Sequence, residues 1–241
     1  MKTLVLIPTY NEKENIPVLV ADLMTIPDVH VMVLDDQSPD GTGAVAEEMG
    51  RRFPGRVQVL HRTGQRGLGV SYLEGFRRAI ATDYDFICQM DADLSHDPKY
   101  LPAMIATAAA GADLVIGSRY MNGISVVNWP LRRIILSQFA NFYIRTISGL
   151  QLRDITTGYR CWRRQALAKI PLDRIVSDGY AFLLDVTFMA AHAGLRIEES
   201  PIIFIERRQG ASKLSGGVLF ESLITPWKLM LRHGRAPKNP K

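Results

Sequence analysis

The first half of the chain alternates short apolar runs with longer stretches in which apolar residues recur every three or four positions. The short runs, rich in β-branched residues, predict strands at residues 3–7, 30–34, 57–60, 86–90 and 114–117. The amphipathic stretches between them predict helices at residues 12–26, 41–53, 69–81 and 98–109. Strands that alternate with helices of this length indicate an α/β fold with a mostly parallel sheet and helices on both faces.

Polar residues follow the predicted strands at the points where the strands end. The first strand is followed by Pro8, Tyr10 and Glu12, the second by Asp35 and Asp36, the fourth by Asp91, Ala92 and Asp93, and the fifth by Ser118 and Arg119. Ligands of doubly wound sheets bind beyond the carboxyl ends of the strands. The sequence therefore predicts a site at one edge of the sheet.

Asp91 and Asp93 are spaced so that both side chains can point to the same side of a strand end. Two like charges repel there unless a positive charge lies between them. Mg²⁺ and Mn²⁺ prefer oxygen ligands and commonly share them with substrate phosphates, which favours a metal and diphosphate site. A short acidic turn without a ligand is the alternative, and Asp97 before Pro98 is interpreted as an N-cap.

The second half contains two amphipathic segments with basic residues. Residues 129–147 predict a helix with a wide apolar face and an arginine rim, either packed in the core or lying on a membrane surface. Residues 217–232 contain Pro226, which predicts two short helices rather than one. Between Arg119 and Arg164 eight arginines face one acid, Asp154, and this excess suits phosphates, nucleic acid or an anionic membrane, or is a solvated basic face.

Composition narrows the class of protein. The 241 residues are 47% apolar and 22% charged, as in ordinary folded proteins. Cys88 and Cys161 show no metal-binding or disulfide spacing, which favours a reducing compartment. We expect no signal peptide and no spanning helix, because no run reaches about 20 apolar residues. We predict one catalytic domain over residues 1–225 and a basic tail over 226–241.

Several other classes are disfavoured by the order of the motifs. Haloacid-dehalogenase-type phosphatases carry Asp-x-Asp on their first strand, whereas here it follows the fourth. No GxGxxG follows the first strand and no GxxxxGK[ST] is present, which argues against a dinucleotide-binding domain and a P-loop. No nucleic-acid-binding module accompanies the basic residues.

The ordered motifs resemble family 2 glycosyltransferases with the GT-A fold, and specifically the dolichol-phosphate or polyprenol-phosphate mannose synthases. The resemblance extends from residue 3 to about 225. The motifs that carry it are Pro-Thr-Tyr-Asn-Glu at 8–12, Asp-Asp at 35–36 with Ser-Pro-Asp-Gly-Thr at 38–42, Gly-Leu-Gly at 67–69, Asp-Ala-Asp-Leu-Ser-His at 91–96, Gly-Ser-Arg-Tyr at 117–120, Asp-Ile-Thr-Thr-Gly-Tyr-Arg at 154–160, Asp-Gly-Tyr at 178–180 and Arg-Arg-Gln-Gly-Ala-Ser-Lys-Leu at 207–214.

The resemblance implies inverting transfer of mannose from GDP-mannose to a polyprenyl (dolichyl) phosphate, with Mg²⁺ or Mn²⁺ as cofactor. The resemblance implies that the donor is contacted by Pro8, Tyr10, Glu12, Asp35, Asp36 and Ala92. It implies that the metal and the diphosphate are bound by Asp91 and Asp93. It implies that the acceptor phosphate is bound by Arg119, Arg133, Arg207, Ser212 and Lys213. Ser95 occupies the position where some members place a glutamine as a further metal contact, and it is a weaker ligand. Either Arg207 or Arg208 could match the arginine of the family motif. The spacing to Gly210 favours Arg207.

Further expectations follow from the lipid acceptor. We expect a peripheral protein on the cytosolic face of a membrane, held by its own amphipathic helices or by a membrane-anchoring subunit. Another donor such as UDP-glucose is the first alternative, and a non-catalytic GT-A-like lipid-binding module is the second. Arg119 and Arg133, taken singly, are also typical of surface ion pairs.

Overall fold

The predicted alternation of strands and helices is present in the computed structural model, which describes residues 1–175, 177, 179–206 and 216–237, with backbone only for 180 and 216–222. The strands are β1 (Thr3–Thr9), β2 (Val29–Asp35), β3 (Val57–His61), β4 (Phe86–Gln89), β5 (Leu114–Ser118), β6 (Val126–Val127), β7 (Arg160–Arg163), β8 (Ile197–Pro201) and β9 (Phe204–Ile205). The α-helices are α1 (Asn15–Met24), α2 (Thr42–Arg52), α3 (Leu68–Ile80), α4 (Leu101–Ala109), α5 (Leu131–Ser148), α6 (Arg164–Leu167), α7 (Gly179–His192) and α8 (Gly216–His233).

Seven strands form the central sheet in the order β3-β2-β1-β4-β7-β5-β8. All neighbouring pairs are parallel except those made by β7, which is antiparallel to both β4 and β5. The prediction of a mostly parallel sheet is therefore confirmed. A separate small sheet joins β6 to β9.

The sheet is covered on both faces because its strands alternate their side chains between two cores. Leu4 and Leu6 of β1 pack with α3 and α7 on one face. Val5 and Ile7 pack with α1, α2 and α4 on the other. Burial on both faces explains why these strands are continuously apolar rather than alternating.

The chain enters α4 through a short 3-10 turn at Pro98–Tyr100. The Asp97 side chain accepts a hydrogen bond from the Lys99 amide at 2.9 Å, so the predicted N-cap is confirmed. The capped turn fixes the direction in which the chain leaves the loop that follows β4.

The prediction of two short helices around Pro226 is wrong, because α8 continues through that residue. A proline inside a helix costs about 3 kcal/mol through its missing N–H and its clash with the preceding turn. Helix α8 packs against both α5 and α7, and this tertiary packing offsets the cost. No helix in the described part of the chain combines the length and the hydropathy needed to cross a bilayer.

Trp162 of β7 is the largest side chain that is fully buried. Its indole N–H donates to Gln89 Oε1 at 2.9 Å, and its ring lies edge-on to Phe76 with centroids 6.4 Å apart. Phe76 in turn packs on Phe182 of α7. Trp162 thus joins the antiparallel strand, the neighbouring strand β4 and two helices of one face.

We expect Trp162→Ala to lower the free energy of unfolding by about 3–5 kcal/mol, because a large cavity would remain. Trp162→Phe should cost clearly less, since one aromatic ring is kept and the remaining cavity is smaller, although the hydrogen bond to Gln89 is lost. Urea denaturation followed by far-UV circular dichroism measures both. Trp227→Ala, at a half-exposed position on α8, is the matched control with an expected loss of about 1 kcal/mol or less. Equal losses at the two tryptophans would contradict this role of Trp162.

Candidate active site

The carboxyl ends of β1, β2 and β4 lie side by side because these three strands are parallel neighbours. The structure therefore brings the predicted donor-side residues to one edge of the sheet. Tyr10 follows β1, and its hydroxyl accepts a hydrogen bond from Arg66 at 2.8 Å while the guanidinium lies 5.1 Å from the ring centroid. The Glu12 amide donates to Thr42 Oγ1 at 2.9 Å, which ties the end of β1 to the start of α2.

Asp36 is the better fixed of the two aspartates after β2. One carboxylate oxygen accepts from Arg62 Nη1, and the other accepts from the Gly67 amide at 2.9 Å. Arg62 also donates to Ser71 at 2.8 Å and pairs with Glu74 at 3.1 Å. Gly67 has φ 153°, a conformation that L side chains rarely adopt, so glycine allows its amide to reach Asp36.

Asp35 is buried like Asp36, with exposures of 6% and 7%. Its Oδ1 accepts from the Ser38 amide at 3.4 Å, and its Oδ2 lies 3.7 Å from His61 Nδ1. The structure gives both aspartates protein partners at the expected place. A contact of either with a base or ribose stays a prediction.

The Asp91-Ala92-Asp93 segment directly follows β4. Asp93 Oδ1 accepts hydrogen bonds from the Ser95 hydroxyl and from the Ser95 amide. Leu94 between them has φ 61°, a left-handed conformation that costs a residue with a Cβ about 1–2 kcal/mol. Ser95 is buried and bonded to Asp93, so it supports that carboxylate, and its predicted metal contact stays a prediction.

Asp91 lies against Gly158 in the segment before β7. A Cβ at residue 158 would be 3.0 Å from Asp91 Oδ1 and 3.2 Å from Oδ2, which is tighter than ordinary contact. A side chain at residue 158 would therefore force this carboxylate to shift by a few tenths of an ångström, whereas glycine leaves it in place. Sequence reasoning included Gly158 in a motif and did not assign this role.

The donor set at this edge suits a hard divalent cation that shares its coordination shell with substrate oxygens. Among the residues that the structure describes, no group of three or more histidines, cysteines and carboxylates could hold a metal ion by itself. A protein usually supplies one or two carboxylates to an Mg²⁺ ion, and substrate phosphates complete the coordination shell. Asp91 and Asp93 fit that chemistry.

Arg160 places a buried positive charge on β7, beside β4. Its guanidinium donates to the backbone carbonyls of Thr157, Leu183 and Ile155 at 3.1, 2.9 and 2.9 Å. Burial lowers its pKa to about 10, against the attraction of negative groups that include Asp91. Arg160 therefore remains charged at pH 7 and offsets the negative charge of the site.

Arg119 is buried in an ion pair with Asp154, and the surface ion pair considered from sequence is wrong for this residue. Nε donates to Asp154 Oδ2 and Nη2 to Oδ1, both at 2.6 Å. The guanidinium carbon lies 5.3–5.6 Å from the ring centroids of Tyr120, Trp129 and Phe204. The pair is separated by 35 residues in the chain, and no sequence spacing indicated it.

Arg133 lies in the first turn of α5 and is 25% exposed. It pairs with Glu206, and its guanidinium lies 4.0 Å from the centroid of Trp129. Trp129 therefore contacts both Arg119 and Arg133, and brings the two predicted acceptor-side arginines together. Arg207, Ser212 and Lys213 lie outside the described residues, as do Asp178 and the tail from residue 238.

The apolar face of α5 is exposed along most of its length, so the interpretation of residues 129–147 as a core helix is wrong for that face. Leu131, Ile135, Phe139 and Phe142 are 71%, 59%, 55% and 57% exposed. With Trp227 of α8, Phe139 and Phe142 line a cavity of about 380 Å³ between the two helices. The buried residues of α5 are confined to its second half, at Asn141, Ile144, Ile147 and Ser148.

The chain is similar to proteins of known name. The chain is 47% identical over 238 residues to the polyprenol monophosphomannose synthase of Mycolicibacterium smegmatis, covering 98% of this chain and 90% of that protein. It is 46% identical over 235 residues to the undecaprenyl-phosphate mannosyltransferase of Micrococcus luteus, covering 96% of both.

Among solved structures, a glucosyl-3-phosphoglycerate synthase from Mycobacterium tuberculosis, in complex with Mn²⁺, UDP and phosphoglyceric acid, matches with a TM-score of 0.70. The match covers 98% of this chain and 80% of that one at 17% identity, so it bears on the fold alone. The model of the family described as glycosyl transferase family 2 matches residues 4–171, which include both Asp91-Ala92-Asp93 and the Arg119–Asp154 pair. The chain therefore belongs to glycosyltransferase family 2.

Proposed function

We propose that the chain transfers mannose from GDP-mannose to the phosphate of a polyprenyl (dolichyl) lipid, with inversion at the anomeric carbon and with Mg²⁺ or Mn²⁺ as cofactor. The observation that carries this proposal is the meeting of two opposite charge environments at one sheet edge. Asp91 and Asp93 form the carboxylate side, and Arg119 and Arg133, joined by Trp129, form the cationic side. The names of the two similar mannosyltransferases support the same reaction class and acceptor.

The donor side would hold the nucleotide against the ends of β1 and β2, with Pro8, Tyr10, Glu12, Asp35 and Asp36 around it and Ala92 beneath the diphosphate. Asp91 and Asp93 would hold the divalent cation, which supplies neutralisation of the departing diphosphate when it is bound. The Arg66 guanidinium lies near the Tyr10 ring and supplies a positive charge on the proposed nucleotide side.

The acceptor side needs no general base. A phosphate monoester with a second pKa of about 6 is largely dianionic at pH 7, so its oxygen attacks without losing a proton. The protein's task is to hold this anion in line with the sugar-phosphate bond, and a single in-line displacement inverts the anomeric carbon. Arginine suits that task because its planar fork binds phosphate oxygens in pairs.

Arg133 is the better placed of the two arginines to bind the acceptor. Arg119 is already bound on two nitrogens by Asp154, whereas Arg133 is partly exposed and pairs with the partly exposed Glu206. An incoming phosphate dianion would compete with Glu206 for the Arg133 guanidinium. Glu206 directly precedes the segment that contains Arg207, Ser212 and Lys213, which we propose to complete the phosphate site.

The exposed face of α5 would receive the lipid, as part of peripheral attachment to the cytosolic face of a membrane. Helix α5 begins beside the proposed phosphate site at Arg133, and its Phe139 and Phe142 face the cavity shared with Trp227. Arg235 lines the same cavity, and Lys228 and Arg232 are exposed on α8, so basic residues accompany this apolar surface. Apolar side chains within a basic rim favour an anionic bilayer surface.

Transfer of radiolabelled sugar into an organic-extractable lipid tests the reaction, with a short polyprenyl phosphate, Mn²⁺ or Mg²⁺, and GDP-mannose compared with UDP-glucose. We expect labelled lipid from GDP-mannose, and its loss on addition of a chelator. Asp93→Asn should lower the rate by about 100-fold or more without lowering the thermal unfolding temperature. Asp22→Asn, at an exposed position of α1, is the matched control. Labelled lipid from UDP-glucose alone would show that the donor is UDP-glucose and not GDP-mannose. Activity that persists in chelator would contradict the proposed metal dependence.

Arg133→Gln should raise the KM for polyprenyl phosphate by about tenfold or more, because a charge-assisted contact with the phosphate would be lost. The KM for GDP-mannose should stay within about twofold. Arg132→Gln, one residue earlier and exposed, makes the same substitution outside the proposed phosphate site and should leave both constants unchanged. Initial-rate kinetics with each substrate varied in turn provide the measurement. An unchanged KM for polyprenyl phosphate in Arg133→Gln would contradict the proposal that Arg133 binds the acceptor phosphate.

Replacing both Phe139 and Phe142 by glutamate should strongly reduce cosedimentation with vesicles that contain anionic phospholipid. Carboxylates on the apolar face would lose burial and repel the lipid surface. Val18→Glu, on the half-exposed side of α1, is the control and should bind like the wild type. Wild-type protein that binds no vesicles would favour a membrane-anchoring subunit as the source of membrane contact.

A further inference from the structure

His96 lies buried beneath the Asp91-Ala92-Asp93 segment, with 1% of its surface exposed. Its Nδ1 accepts a hydrogen bond from the Asp91 amide at 3.1 Å. Its ring stacks on Tyr159 with centroids 5.0 Å apart, and the edge of Phe204 contacts it with centroids 5.6 Å apart. One hydrogen bond and two aromatic contacts therefore fix the orientation of the imidazole.

The hydrogen bond from the Asp91 amide determines which nitrogen of His96 carries the proton. Because the Nδ1 lone pair accepts that bond, the neutral ring holds its proton on Nε2. Nε2 is buried, and no atom of the described residues forms a hydrogen bond with it. A buried donor left without an acceptor costs about 1–3 kcal/mol. Such a cost points to a function for this N–H.

Asp91 Oδ2 lies 3.8 Å from His96 Nε2. A small movement of the carboxylate would bring the two atoms to a hydrogen-bonding distance of about 2.9 Å. Gly158 leaves the space in which the carboxylate lies, since a Cβ there would be 3.0 Å from Asp91 Oδ1. Asp91 thus lies between a histidine N–H and a backbone without a side chain.

We propose that His96 is a positioning residue for Asp91. Its Nε2–H donates to one oxygen of the Asp91 carboxylate and leaves the other oxygen directed to the donor diphosphate and its cation. The catalytic consequence rests on the function proposed above, whereas the hydrogen bond itself does not. A neutral donor suits this place because it restrains a carboxylate without adding a charge that would compete with the cation.

Two substitutions separate the two nitrogens of His96. Asparagine carries an acceptor near the position of Nδ1, so His96→Asn keeps the bond from the Asp91 amide and loses the Nε2–H. Glutamine reaches the position of Nε2, so His96→Gln keeps a donor toward the Asp91 carboxylate. His30→Asn, on β2 at the end away from Asp35, is the control with the same chemical change.

The first readout is Mn²⁺ binding in the presence of GDP, followed by electron paramagnetic resonance. We expect His96→Asn to weaken Mn²⁺ binding by about 10–100-fold, the usual effect of losing a residue that orients a metal ligand. His96→Gln should recover most of that affinity, and His30→Asn should bind like the wild type. Unchanged binding in His96→Asn, or equal losses in His96→Asn and His96→Gln, would overturn the proposal.

The second readout does not depend on donor or metal. In protein labelled with ¹⁵N-histidine, we expect the His96 resonances of the neutral Nε2–H form, and Asp91→Asn should shift the Nε2–H signal. The Nδ1–H form, or a signal that Asp91→Asn leaves in place, would overturn the positioning role. A wild-type protein that shows the expected spectra but binds no Mn²⁺ with GDP would refute the proposed function and leave the positioning role standing.

Discussion

Collecting carboxylates at one edge of a sheet raises their mutual repulsion, and the fold offsets this with buried arginines. Arg62 binds Asp36, Arg119 binds Asp154, and Arg160 lies on the strand beside Asp91 with its guanidinium on three backbone carbonyls. Each buried cation would be costly alone, because moving an unpaired charge out of water costs on the order of several kcal/mol. Each is tolerable here because carboxylates or carbonyl oxygens surround it.

The two sides of the site share a continuous set of aromatic contacts. His96 packs on Phe204, and Phe204 packs edge-on against Trp129 with centroids 5.3 Å apart. Trp129 carries the guanidinium of Arg133, and Arg119 lies near both Trp129 and Phe204. Close packing transmits small displacements because interiors have little free volume. These contacts therefore link the surroundings of Asp91 to those of Arg119 and Arg133.

Periodicity alone predicted the first five strands and four helices, since long buried runs and amphipathic helices leave a strong local pattern. The rule for ligand sites in doubly wound sheets then placed Tyr10, Asp36, Asp91 and Arg119 at one edge. The antiparallel strand β7 was missed because Arg160-Cys161-Trp162-Arg163 is short and begins and ends with arginine. The Arg119–Asp154 pair and the contact of His96 with Phe204 depend on tertiary packing, which spacing along the chain does not report.

The position of β7 constrains the order in which the molecule can be completed. Gln89 and Trp162 are hydrogen-bonded neighbours although 73 residues separate them in the chain. Until β7 has been synthesised, β4 presents an unpaired edge, which is the kind of surface that recruits other chains. Strands β1 to β4 can thus pair early, whereas the sheet is completed only by β7, which follows helix α5 in the chain. During synthesis on the ribosome, the unpaired edge of β4 therefore stays exposed to aggregation until β7 has emerged.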